Sequence, residues 1–180
     1  MAEPRSQRSA YRGAFVRVDV EDWPGLGEWE IVRRFDATAV LPVTPDDEVL
    51  LVRQFRPALR GAIVEVPAGI LDVEGEDALT AAGRELFEET GYRHSAIEFL
   101  GGVYPTVGSS DEYVHLFRAR TFAEPQGSVE PGIELVVEPL ARMVDAARSG
   151  KVRDAKTALA LLMAGSRPAL PQARRAAGRG

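Results

Sequence analysis

The stretch from Gly69 to Tyr92, GILDVEGEDALTAAGRELFEETGY, ties an apolar run to a helix and so dictates how the middle of this chain is built. Ile63, Val64 and Val66 lead into Pro67-Ala68-Gly69, the pattern of a strand end. A short loop containing Gly75 follows. Ala78, Leu79, Ala81, Ala82, Leu86 and Phe87 then give a helix its buried side, and Gly91 supplies the stop. The helix also carries Glu85, Glu88 and Glu89. At about 100° per residue these three fall within an arc of roughly 100°, a face that one cation could touch. A plain solvated helix would tolerate them, since like charges at i,i+4 cost only about 0.2–0.5 kcal/mol. Set beside a strand end and a loop, they instead offer hard oxygen donors to Mg²⁺ or Mn²⁺, ions that keep several waters and complete their shell with substrate phosphates.

Composition narrows the partners. With 180 residues, 45% of them hydrophobic and 27% charged, the chain suits one domain with a proper core. A net charge of −5 argues against general nucleic-acid affinity, so an anionic substrate would be drawn by local Arg and by metal. The absence of Cys excludes disulfides, thiol catalysis and thiolate metal sites. MAEPRSQRSAYRG lacks the apolar core of a signal peptide, and no run approaches the ~20 apolar residues of a membrane span, so no membrane partner and a cytoplasmic address are expected.

The order of elements is that of an α+β, or mixed α/β, domain. Residues 14–20 alternate like a strand, and Trp23-Pro24-Gly25 turns the chain towards a second at 28–34. Strands at 38–43 and 49–55 flank the turn Thr44-Pro45-Asp46-Asp47. After the Glu-bearing helix, 97–103, 112–118 and 135–137 read as strands. A helix from Pro139 to Ser149 and another from about Asp154 to Ala164 close the fold. The division expected is an N-terminal strand segment over 1–36, a main domain over 37–165 and a disordered tail over 166–180, where Pro, Gly and Arg show no apolar period.

From Glu76 onward the opening stretch resembles the Nudix box: seven residues separate Glu76 from Arg84, and Glu85, Glu88, Glu89, Gly91 and Tyr92 fall in register. Six residues rather than five separate Gly69 from Glu76, an insertion that lengthens the loop without rotating the helix. Further stretches resemble the ADP-ribose pyrophosphatase branch of the Nudix hydrolases: EVLLVRQFRP at 48–57, Glu65-Val66-Pro67-Ala68-Gly69, Ser110-Asp111-Glu112, and the segment Gly150 to Thr157. The branch often has Ser-Pro-Gly before Ser-Asp-Glu, whereas this chain has Pro105-Thr106-Val107-Gly108.

The resemblance implies an α/β/α sandwich with a mixed sheet, an N-terminal strand pair, and Mg²⁺-dependent hydrolysis of the diphosphate of ADP-ribose to AMP and ribose 5-phosphate. Another nucleotide sugar such as GDP-mannose, a dinucleotide, or a non-catalytic nucleotide sensor stay open as alternatives. It implies metal binding by Glu85, Glu88, Glu89 and the backbone carbonyl of Ala68. Helical rotation alone puts Glu89 about 40° from Glu85, so these two could clamp one ion while Glu88 lines the other edge. Arg84 is expected to pair with and orient a carboxylate, and Glu76 to cap or brace the loop. The branch's general base comes from a loop after the box; Glu130, beside Pro131 and Gly132, fills that place. Asp111 and Glu112 are further acids that could face the metals. For substrate, Arg53 and Arg56 match phosphate oxygens in type, Glu65 belongs to the motif before the box, and Trp29, ahead of Trp23 and Phe35, could stack on a base. His115 reads as packed and His94 as a loop residue. Members of the branch are usually homodimers, their N-terminal strands packed or exchanged across subunits.

Overall fold

The computed structural model describes residues 3–171. It begins with a three-stranded antiparallel sheet: β1 (Ser6–Arg12), β2 (Val16–Trp23) and β3 (Gly27–Arg34), in that order. The expected N-terminal pair is therefore a trio. Every residue of β1 is exposed, so SQRSAYR carries none of the apolar alternation by which a strand announces itself.

The remainder forms β4 (Ala37–Val43), β5 (Glu48–Arg56), β6 (Gly61–Glu65), β7 (Ala68–Ile70), α1 (Ala78–Thr90), β8 (His94–Val103), β9 (Val114–Thr121), β10 (Glu134–Pro139), α2 (Leu140–Arg148) and α3 (Ala155–Gly165). The second sheet runs β10-β5-β4-β9-β8; β4 and β9 are parallel and the other pairs antiparallel, a mixed sheet. His94, expected in a loop, opens β8, which begins three residues earlier than its apolar run.

Side chains alternate across this sheet as the pleat requires. Ala39 and Leu41 of β4 and Leu116 of β9 pack with Val144 and Ala147 of α2 and Ala160, Leu161 and Ala164 of α3. Val40, Phe117 and Ala119 meet Ala82 and Leu86 of α1 on the other face. The layers are α/β/α. Among the described residues no helix is long and apolar enough to cross a membrane.

Two features position the site. First, β4 and β5 share a single rung, Val43 with Val49, and then part. The chain from Gly61 to Ile70 enters the gap, pairing with β5 along β6 and then with β4 along β7. Pro67 lies at the change of partner, and its carbonyl accepts from the Val40 amide at 3.0 Å. Second, the N-terminal sheet docks through residues 109–112: the Val32 amide donates to the Ser109 carbonyl at 2.7 Å, and the Arg33 guanidinium meets Asp111 at 3.1 Å, Glu21 at 2.5 Å and Asp19 at 3.3 Å. Asp111 is thus engaged with Arg33 and the Arg34 amide.

Of the expected tail, residues 166–171 are described: Arg167 donates to the Leu100 carbonyl at 2.8 Å. Residues 172–180 lie outside the described residues.

Candidate active site

Helix α1 forms one wall. Asp77 caps it, accepting from the Thr80 amide at 2.8 Å, and Gly91 ends it at φ 76°, donating to the Phe87 carbonyl. The cap is thus Asp77 and not Glu76; Glu76 serves instead as the main partner of Arg84, accepting from its Nε and Nη2 at 2.9 Å each. That pairing holds the Glu76 carboxyl below its ordinary value and raises the Arg84 guanidinium. Arg84 also donates to Glu85 at 2.7 Å and to Glu88 at 3.0 Å. The extra residue before Glu76 lies in the loop between β7 and Asp77, where the Glu76 amide donates back to Val73, and α1 keeps its register.

The three box glutamates meet different surroundings. Glu89 is buried, and its carboxylate accepts from the Ala68 amide at 3.2 Å. Burial pushes its pKa up to about 7, and the negative charges of Glu85 and Glu65 add to the rise against the pull of the Ala68 amide and Arg56. Glu85 packs so closely on Gly69 that a Cβ there would land on its carboxyl group. Its pKa is raised, first by burial and further by Glu88 and Glu130, with Arg84 opposing. Glu88 is half exposed and turned to Arg84. The face shared by the three residues is real, but their carboxylates do not converge: among the described residues no three Asp, Glu or His side chains stand ready to hold a metal ion. What remains is a pair of mutually repelling carboxylates, Glu89 buried and Glu85 partly so, beside strand β7, with two further acids near by. Such all-oxygen, under-neutralised donors fit a hard divalent cation.

Beside this wall lies a cleft of about 520 Å³, whose charged lining is Arg34, Arg56, Lys156, Glu65, Glu112 and Asp154. Ala68 and Gly69 of the strand switch line it too, so the acidic helix and a pocket whose three cations are each paired with a carboxylate share one edge. Arg56 donates through Nε to Glu65 at 2.7 Å, and this pairing raises it further. Glu112 stands 3.4 Å from Arg34.

Other candidates sit elsewhere. Arg53 and Arg56 belong to one regular strand, where residues three apart point to opposite faces; Arg56 lines the cleft and Arg53 pairs with Glu134 at 3.7 Å. Trp29, with Trp23, lines a separate groove of about 410 Å³ between the N-terminal sheet and residues 107–111. Phe35 borders another, with Phe15 and Arg34. His115 packs between the rings of Tyr113 and Phe99. Glu130 follows a loop anchored on the end of α1: the Gln126 and Gly127 amides donate to the Gly91 carbonyl and the Glu130 amide to the Glu88 carbonyl at 3.1 Å. Its proximity is felt in the upward shift of Glu85. Sequence reasoning missed Arg34 and Lys156; the segment Gly150 to Thr157 was the only signal for the latter.

Residues 33–164 match the NUDIX domain. A methanol dehydrogenase activator of Bacillus methanolicus is 31% identical over 159 residues, covering 84% of this chain and 85% of the relative. An ADP-ribose pyrophosphatase of Bacillus subtilis is 37% identical over 139 residues, 73% of either chain. A GDP-mannose pyrophosphatase of Cronobacter sakazakii is 35% identical over 144 residues, 73% of this chain and 74% of the relative.

Proposed function

We propose that this chain, which belongs to the NUDIX family, is a Mg²⁺-dependent pyrophosphohydrolase that cuts ADP-ribose into AMP and ribose 5-phosphate. The observation that carries the reading is the shared edge at Ala68 and Gly69, with the carboxylates of partly buried Glu85 and buried Glu89 on one side and a cleft that presents Arg56, Lys156 and Arg34 on the other. A diphosphate needs both. Its charge repels a nucleophile until it is neutralised, and a water must be placed and deprotonated.

Glu85, Glu89, the Ala68 carbonyl, and Glu88 once released from Arg84 would hold Mg²⁺, or Mn²⁺ in its place. When bound, the ion supplies positive charge to the phosphate oxygens and acidifies water. The chain's own groups do the rest. Arg56 and Lys156 bind phosphate oxygens, Arg56 held in aim by Glu65. Arg84 orients the carboxylates it touches, and Glu76 holds Arg84. Glu130 takes the proton of the attacking water, from a loop whose base is fixed on α1.

The choice of ADP-ribose rests on Arg53-Gln54-Phe55-Arg56, on Glu65 to Gly69, and on the relative named for that substrate; the relative named for GDP-mannose supports a second reading on the same framework. An intact set of box acids argues for catalysis rather than sensing. The purified protein with Mg²⁺ should be given ADP-ribose, GDP-mannose, NADH and diadenosine polyphosphates side by side, with products separated by anion exchange. The highest kcat/KM is expected for ADP-ribose, releasing AMP, and should vanish in Glu89→Gln. A higher value for GDP-mannose would overturn the substrate, and undiminished turnover in Glu89→Gln would remove Glu89 from the mechanism.

A further inference from the structure

The segment Gly150 to Thr157 gives Asp154 and Lys156 to the cleft. Its remaining groups form a connected network. Asp154 caps α3, its Oδ2 accepting from the Thr157 amide at 2.9 Å and from the Thr157 hydroxyl at 2.7 Å. Its Oδ1 accepts from Lys156 at 2.8 Å, and Lys156 also reaches Glu65 at 3.5 Å. Glu65 in turn accepts from Arg56. Burial pushes the Asp154 carboxyl up, but the Lys156 ammonium and the Thr157 donors outweigh it and hold the group below its ordinary value. This arm fixes the places of Lys156 and Arg56.

The second arm runs the other way. Thr157 is fully buried, and having donated its proton to Asp154 its hydroxyl accepts from the Val66 amide at 2.8 Å. Val66 is fully buried too, and it lies where the strand leaves β5 and has yet to join β4. A buried amide between two ladders has no strand partner and no water, so it needs a side-chain acceptor. Pro67 follows with its fixed φ, and Ala68 comes next, whose amide donates to Glu89. Where Val66 is pinned therefore decides where the Ala68 peptide stands against Glu89. The contact spans 91 residues of sequence and joins the first turn of α3 to the rim of the site.

We infer that Thr157, locked by Asp154, is a positioning residue for cation binding: it holds the Val66-Pro67-Ala68 switch so that the Ala68 peptide and the Glu89 carboxylate face a common point. The inference rests on the reading of Glu85, Glu89 and Ala68 as metal donors.

The test uses the full chain with Thr157→Val, which keeps the shape and loses the hydroxyl, Thr157→Ser, which restores it, and Asp154→Ala, which removes the oxygen that accepts from both the Thr157 amide and its hydroxyl and so leaves Thr157 unlocked. Mn²⁺ binding is measured by electron paramagnetic resonance without substrate, and exchange of the Val66 and Ala68 amides by NMR. Thr157→Val is expected to weaken Mn²⁺ about tenfold, as loss of a supporting hydrogen bond around a metal ligand does, and to speed exchange at Val66, while Thr157→Ser stays within about twofold of the parent. A folded Thr157→Val with parental Mn²⁺ affinity overturns the inference. If that variant does not fold, Asp154→Ala decides: weakened Mn²⁺ supports the inference and parental affinity ends it. A parent chain that binds Mn²⁺ but hydrolyses none of the diphosphates would defeat the proposed activity and leave this comparison standing; one that binds no Mn²⁺ would defeat both.

Discussion

Glu89 is a buried carboxylate set among other carboxylates. Without metal, its folded pKa of about 7 stands above the ordinary 4.5. Between those pH values the folded chain holds a proton that the unfolded chain has lost. Its contribution is therefore fully present below about pH 4.5 and lost as pH rises through about 7, worth on the order of 3 kcal/mol across the window. Urea melts in EDTA from pH 5 to 8 should show stability falling with pH, and Glu89→Gln should flatten much of that slope, Glu85 supplying the remainder with the same sign. A parent chain as stable at pH 8 as at pH 5 would contradict the burial of this carboxylate. The residues that matter most here were legible because helix periodicity is local: Glu85, Glu88 and Glu89 could be set on one face by counting. That Arg84 would bridge Glu85 and Glu88 while Glu89 turned to the Ala68 amide was not, since rotation about the axis says nothing of which way a long side chain bends. Arg53 and Arg56 show the same limit in a strand. Their spacing read as a pair until β5 was seen to run unbroken to Arg56, which puts them on opposite faces.

Among elements, α1 does two jobs, presenting acids along its length and anchoring the Glu130 loop at its end. Gly91 links them. Its φ of 76° is a conformation that costs a side chain, and a Cβ there would strike the Gly127 carbonyl. Gly91→Ala should therefore cost about 1–2 kcal/mol in denaturant melts and also reduce kcat, because the displaced loop carries Glu130. A destabilised variant with unchanged kcat would separate the loop from the chemistry. Glycine as the helix stop was readable in the sequence, and so were most strand cores, because burial on one face leaves an apolar trace. β1 left none, since nothing on it is buried. The strand switch left little, because its decisive bond reaches from Val66 to Thr157.

At the scale of the whole molecule, the N-terminal sheet meets the rest through a narrow joint. Arg33, shared among Asp19, Glu21 and Asp111, is its centre, with the Val32 to Ser109 pairing beside it. The sheet exposes Tyr11 and Trp29, with Phe15 and Leu26 in its turns, an amount of apolar surface that one copy leaves uncovered. We propose that two chains associate through it. Light scattering should return twice the 19.6 kDa of one chain, and Trp29→Glu should return the single mass. A parent chain that elutes as a monomer at all concentrations would end that proposal. Trp29 lies in its own groove and not in the cleft.

The change of strand partner at Val66 and Pro67 has a consequence for how this chain can diverge. A residue gained or lost between Gly61 and Ile70 would turn every later side chain over and send the Ala68 carbonyl to the wrong side. The seven positions between Ile70 and Ala78 obey no such parity, and it is there that the surplus amino acid before Glu76 has been absorbed. Natural variation in length should accordingly cluster in the second segment and spare the first.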